Sequence, residues 1–139
     1  MKLTNNQLEE AAFIFEKENE YKHGEFEKEV IKRSNLLHLL TSELKTIIVN
    51  GLNSNLYTDS IERVGAYWAL SKTNDKSLIP EYKNWLKKEF NLKNETPIFQ
   101  ILIALDRFEE PAFHENRNSR YYDQTELNFR DAKNYLDNN

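Results

Sequence analysis

Three histidines, His23, His38 and His114, are the residues from which a metal site or a general base would first be built. No two of them stand four apart, and no H-E-x-x-H string places two imidazoles on one helical face. His114 adjoins Glu115, but neighbours in sequence rarely converge on one ion. His38 sits among Leu36, Leu37, Leu39 and Leu40 and reads as a histidine satisfied at the edge of a core. His114 reads as solvated or paired with a carboxylate. There is no cysteine, which removes thiolate zinc sites, iron–sulfur clusters, cysteine nucleophiles and disulfides together. The only glycines, Gly24, Gly51 and Gly65, are too scattered to cradle a phosphate, and no G-x-S-x-G elbow occurs. Pro80-Glu81-Tyr82-Lys83 has the letters of a nuclease P-E-x-K string, but it opens a helix where that chemistry needs a strand. Glu109-Glu110, before Pro111, reads as a solvated pair and not as an acid–base couple. The expectation is a non-enzyme with no catalytic residue, no cofactor and no metal ligand.

The charge layout is more informative. Residues 1–30 hold eight glutamates and four lysines, so this segment alone carries a charge equal to the net −4 of the whole chain. Such a face can steer a positively charged partner and fix its register, with Glu9, Glu16, Glu20 and Glu27 as contact residues. The plainer explanation is a solvated helix with i, i+4 pairs such as Glu18–Lys22. The second feature is the stretch 109–124, longer than most connections between helices. It contains Arg117, Arg120, Tyr121 and Tyr122, residue types enriched where proteins touch one another. These four complete the expected partner-binding set.

The elements that must position these residues are helical. A chain of 139 residues with 3 glycines and 3 prolines is material for one helical domain, and the reading is a single helical-repeat domain over 1–139. Thr4 and Gln7 form a capping box, and Leu8, Ala11, Ala12 and Phe15 fall on one stripe, predicting a helix over 5–22 ended by Gly24. A second helix starts at Glu25, with Phe26, Val30, Leu37, Leu40, Leu44 and Ile47 near one face. Ser34-Asn35 marks a kink or break in it, and Asn50-Gly51 its end. Asp59 and Glu62 cap a third helix to about Lys72. Pro80 opens a fourth, with Lys83, Lys87 and Lys88 on its polar side. Thr96-Pro97 opens a fifth to Phe108, and Thr125 caps a sixth. Trp68 is expected in the core and Trp85 only partly covered. The count is six helices, or seven if the second breaks. No secretory signal pattern and no run of about 20 apolar residues occurs, so a soluble, cytoplasmic chain without membrane contact is expected.

Glu62–Leu78 overlays Pro97–Phe113, aligning Ala69-Leu70 with Ala104-Leu105 and Lys72 with Arg107. The run Arg63, Ala66, Ala69-Leu70, Asp75, Leu78-Ile79-Pro80 and Leu86 resembles one unit of a HEAT-like helical repeat. The second unit departs from that pattern, with Ile98 where Arg63 stands and no aspartate in the turn. The resemblance implies a short right-handed stack of antiparallel helix pairs, a HEAT-like α-solenoid. It also implies an extended binding surface without an enclosed cleft. Small acidic proteins resembling HEAT-like repeats include bacterial immunity proteins that cap a cognate toxin. The expected function is therefore a non-catalytic protein-binding module that neutralises a basic toxin. The alternative is a nucleic-acid-binding or -processing protein, for which Lys83, Lys87, Lys88, Arg117 and Arg120 would have to gather on one face. The acidic balance, with a pI near 5.5, weighs against nucleic acid, and a small-molecule ligand is not expected.

Overall fold

The structure, a computed structural model, describes residues 1–139 and is all-α. Seven helices follow in order: α1 (Asn5–Glu18), α2 (Glu25–Arg33), α3 (Thr41–Asn53), α4 (Ser60–Ser71), α5 (Ile79–Asn91), α6 (Glu95–Arg107) and α7 (Thr125–Asn138), with one 3-10 turn at Lys76–Leu78. The chain divides into two compact units, Met1–Asn74 and Asp75–Asn139. The boundary falls inside the segment 62–86 that carries the HEAT-like resemblance.

In the first unit α1 packs against α2, α3 and α4, and α3 also packs against α4. The stripe Leu8, Ala11, Ala12 and Phe15 is fully buried, as its spacing requires. Its N-terminus is closed by the expected reciprocal box: Gln7 N–H donates to Thr4 Oγ1 (3.1 Å) and Thr4 N–H to Gln7 Oε1 (3.0 Å). The box at α4 is of the same kind, with Ile61 N–H on Asp59 Oδ1 at 2.7 Å and Asp59 N–H on Glu62 Oε1 at 3.3 Å.

Helix ends differ from the expectation. α1 stops at Glu18, not near residue 22, because Glu20 turns into the left-handed region (φ 65°) and Tyr21 N–H bonds back to Glu16 O at 3.0 Å. Asn19 Nδ2 then donates to Phe15 O, Lys72 O and Thr73 O, tying this end to the end of α4. Gly24 is the N-cap of α2 and needs no unusual backbone. Gly51 lies within α3, which runs on to Asn53 and is closed by Asn55 at φ 57°. Asn74, Lys93 and Glu109 likewise hold positive φ after α4, α5 and α6, so non-glycine residues close five helices. At the other end, Asn94 and Gln124 occupy the N-cap positions of α6 and α7, one or two residues before Thr96 and Thr125.

The predicted second helix breaks at Ser34, giving α2 and α3. Ser34 is buried; its hydroxyl donates to Glu10 Oε1 (2.5 Å) and accepts from Leu36 N–H (3.1 Å), which pins the turn to α1. The break rotates the expected stripe. Leu36 is buried, whereas Phe26, Leu37 and Leu40 are 58, 51 and 68% exposed. His38, expected at the core edge, is exposed on this turn.

In the second unit α5, α6 and α7 pack against one another pairwise. α6 is buried along Ile98, Ile101, Leu102, Ala104 and Leu105. The two tryptophans exchange their expected roles. Trp85 is buried against Tyr82, with ring centroids 5.1 Å apart, whereas Trp68 in the first unit is only partly covered. α7 buries Asn128 and Asp131 beside Ala132 and Tyr135, a polar face that periodicity does not reveal.

Candidate functional site

The eight expected contact residues fall four in each unit. In the first, Glu9 and Glu20 are exposed, Glu9 on α1 and Glu20 in the turn after it. Glu27 is half-buried on α2, beside the Gly24 cap. None of these three makes an ion pair. Glu16 differs. Its carboxylate sits between His23 Nε2 (3.2 Å) and Lys72 Nζ (3.5 Å), with all three side chains less than a fifth exposed. Lys72 also lies over the Trp68 ring at 5.7 Å, and Phe13 presents an edge to His23 and to Trp68. Glu16 is thus an internal tie between α1, the α1–α2 turn and the end of α4. It is a poor candidate for contacting a partner directly.

In the second unit the stretch 109–124 is built around Arg117. Its guanidinium donates to Asn128 Oδ1 (2.8 Å), Asp131 Oδ2 (3.1 Å), Gln124 Oε1 (2.5 Å) and Ser119 O (3.2 Å). The Arg117 side chain is 1% exposed and that of Asp131 is fully buried. The expectation that Arg117 reaches a partner is therefore corrected: the side chain is buried, and all three of its guanidinium nitrogens donate inside the unit. Arg130 completes the pairing from the outer side, with Nη2 3.0 Å from Asp131 Oδ1. Arg120 is exposed, paired with Asp106 at 3.0 Å and stacked 4.7 Å from the Phe113 ring centroid.

This network fixes the backbone from which two tyrosines project. Asn128 Nδ2 donates to Tyr121 O (3.0 Å) and Tyr122 O (3.4 Å), and Tyr121 N–H donates to Gln124 Oε1 (3.0 Å). Tyr121 and Tyr122 remain 61 and 65% exposed. A held backbone with free aromatic rings lowers the ordering cost of a contact. The two tyrosines chosen from the sequence are exposed. Sequence reasoning missed Asn128, Gln124 and Asp131, which order this stretch, because polar residues at a helix start read as solvated.

Two other ionisable groups have shifted behaviour. Burial pushes the Tyr57 phenol up, partly opposed by the Leu3 N–H it accepts. Burial and the Glu110 carboxylate, to which it donates at 2.6 Å, push the Tyr135 phenol up strongly. Both are structural groups. No cluster of three or more His, Cys, Asp or Glu side chains converges on a point. No helix is long and apolar enough to cross a membrane. The cation set required for nucleic-acid contact is reduced, since Arg117 is buried and Arg120 is paired. Comparison of the chain with protein-family models, with curated proteins and with solved structures finds no match in any of the three.

Proposed function

We propose that the chain is a non-catalytic protein-binding module that captures a basic protein. The specific form we favour is an immunity protein of HEAT-like descent that neutralises a bacterial toxin. The observation that carries this reading is the state of the N-terminal carboxylates. Glu9, Glu20 and Glu27 have no cation to answer them, and Phe26 stands among the acids of α2 at 58% exposure. Carboxylates free of internal partners steer and orient a basic protein, and an exposed aromatic supplies the apolar anchor that charge alone lacks. Leu37 and Leu40 extend the apolar material on the turn that follows. In the second unit Tyr121 and Tyr122 offer a further contact of the type that dominates interface energetics.

The test is affinity capture from the native lysate. The wild-type chain is compared with a Glu9→Lys/Glu20→Lys/Glu27→Lys variant, and the captured protein is then expressed alone. The proposal expects stoichiometric retention of one basic protein that is toxic by itself. Retention should weaken with salt and be lost in the reversed variant.

A further inference from the structure

Beneath the α1–α2 turn lies a small pocket of about 160 Å³ lined by Lys17, Tyr21, His23, Lys28 and Ile31. Its lining combines Ile31, which is buried, and Tyr21 with two lysines, a residue type whose long stem is apolar. That lining includes two lysines and no carboxylate, in a segment otherwise dominated by glutamates. Lys17 makes no ion pair. Lys28 has only Glu25 at 3.9 Å, a carboxylate 97% exposed and held loosely.

His23 is the distinctive member. Its side chain is 8% exposed, and Nε2 is engaged by Glu16 at 3.2 Å. No protein atom bonds its other ring nitrogen, Nδ1. The ring is largely covered, yet Nδ1 is open to solvent, since no buried side-chain nitrogen or oxygen lacks a partner; one nitrogen is fixed on a carboxylate and the other is accessible to a ligand.

We infer that the pocket formed by Lys17, Lys28 and the unanswered Nδ1 of His23 binds a carboxylate carried on a small apolar body. The carboxylate sits at the two ammonium groups, with His23 Nδ1 as a third polar contact. The apolar body lies against Ile31 and Tyr21. Size limits that body, since a cavity of about 150 Å³ holds one benzene ring. A phenyl or short branched alkyl group fits, and a nucleotide does not. Two sources supply this chemistry: a free small carboxylic acid, or the C-terminal carboxylate of a protein ending in an apolar residue. The pocket's chemistry stands whether or not the chain neutralises a toxin.

The experiment is an NMR titration of the isotopically labelled full chain. The probes are phenylacetate, phenylacetamide, inorganic phosphate, and a tetrapeptide ending in phenylalanine as free acid and as amide. The expected result is saturable shifts at Lys17, His23, Lys28 and Ile31 with phenylacetate, at a Kd on the order of 0.1–10 mM. The amide should bind at least about tenfold more weakly, and a Lys17→Met/Lys28→Met variant with an intact spectrum should lose affinity for the acid by a similar factor. Tighter binding of the tetrapeptide acid than of phenylacetate identifies a chain terminus as the occupant; the reverse identifies a free acid. Equal binding of acid and amide, phosphate binding as well as phenylacetate, or unaltered affinity in the double-lysine variant overturns the proposal. So does the absence of saturable shifts at these residues. The wild-type comparison of acid with amide decides the matter even if the variant does not fold.

Discussion

Replacing Asp131 with asparagine removes the one full negative charge that faces the buried Arg117 guanidinium. The carboxylate is fully buried and receives Arg117 Nη1 at 3.1 Å, Arg130 Nε at 3.1 Å and Arg130 Nη2 at 3.0 Å. In Asp131→Asn, Arg130 can retreat to solvent, being about a third exposed, but Arg117 cannot. Breaking a buried pair by removing one partner costs about 3–5 kcal/mol. Asn128 and Gln124 still offer neutral acceptors to Arg117, so the low end, about 3 kcal/mol, is expected for this substitution. Arg117→Met leaves Asp131 with Arg130 and should cost less, about 2 kcal/mol. Arg117→Met with Asp131→Leu should recover part of the sum, because an apolar replacement of both charges leaves nothing unpaired. The assay is urea unfolding followed by Trp85 fluorescence in a Trp68→Phe background, so that the signal reports the second unit. Tyr121→Ala and Tyr122→Ala serve as controls and should stay within about 0.5 kcal/mol of the parent. If Arg117→Met and Asp131→Asn each change stability by less than about 0.5 kcal/mol, Arg117 is a surface residue and the description of this network is wrong.

Three further outcomes follow from the packing. Lys93, at φ 56°, sits in the left-handed region after α5; Lys93→Gly should stabilise by about 1 kcal/mol in the same urea assay. Gly51→Ala places a Cβ 2.6 Å from Tyr57 Cε2, a buried ring that holds Leu3 N–H. Overpacking at about 1–3 kcal/mol outweighs a helical gain of about 1, so thermal unfolding should show a net loss. Above pH 10 stability should fall, because Tyr57 and Tyr135 keep their protons in the folded chain after the unfolded chain has begun to lose them. Their contribution is complete below the unfolded value and is lost as pH rises through the raised folded values. Tyr135→Phe should flatten that decline in unfolding measured from pH 8 to 11.

Much of the fold was legible because it is local. The boxes at Thr4–Gln7 and Asp59–Glu62 are closed within four residues, and the α1 stripe is set by spacing alone. The break in the second helix had a signal in Ser34-Asn35. What fixes it is Glu10, 24 residues away, and no periodicity reports that bond. Helix ends were misplaced at Gly24 and Gly51, where glycine was expected to do the work, since Glu20 and Asn55 adopt the left-handed turn with side chains in place. Trp68 and Trp85 exchanged roles because burial depends on which helices pack, not on how apolar the surrounding letters are. At the candidate contacts, Tyr121 and Tyr122 are exposed, whereas Arg117 and Glu16, chosen by residue type, are tied up inside their units. An arginine looks the same in sequence whether its partner is another protein or the aspartate 14 residues ahead.

The central claim is that the unanswered carboxylates of the first unit face a basic protein. Its most direct measurement is capture from native lysate by the wild-type chain beside the Glu9→Lys/Glu20→Lys/Glu27→Lys variant, with both baits verified as folded. One basic protein, held stoichiometrically by the wild type, released by salt, absent from the variant and toxic alone, is the predicted result. Equal capture by both baits, or retention of nucleic acid alone, would contradict it.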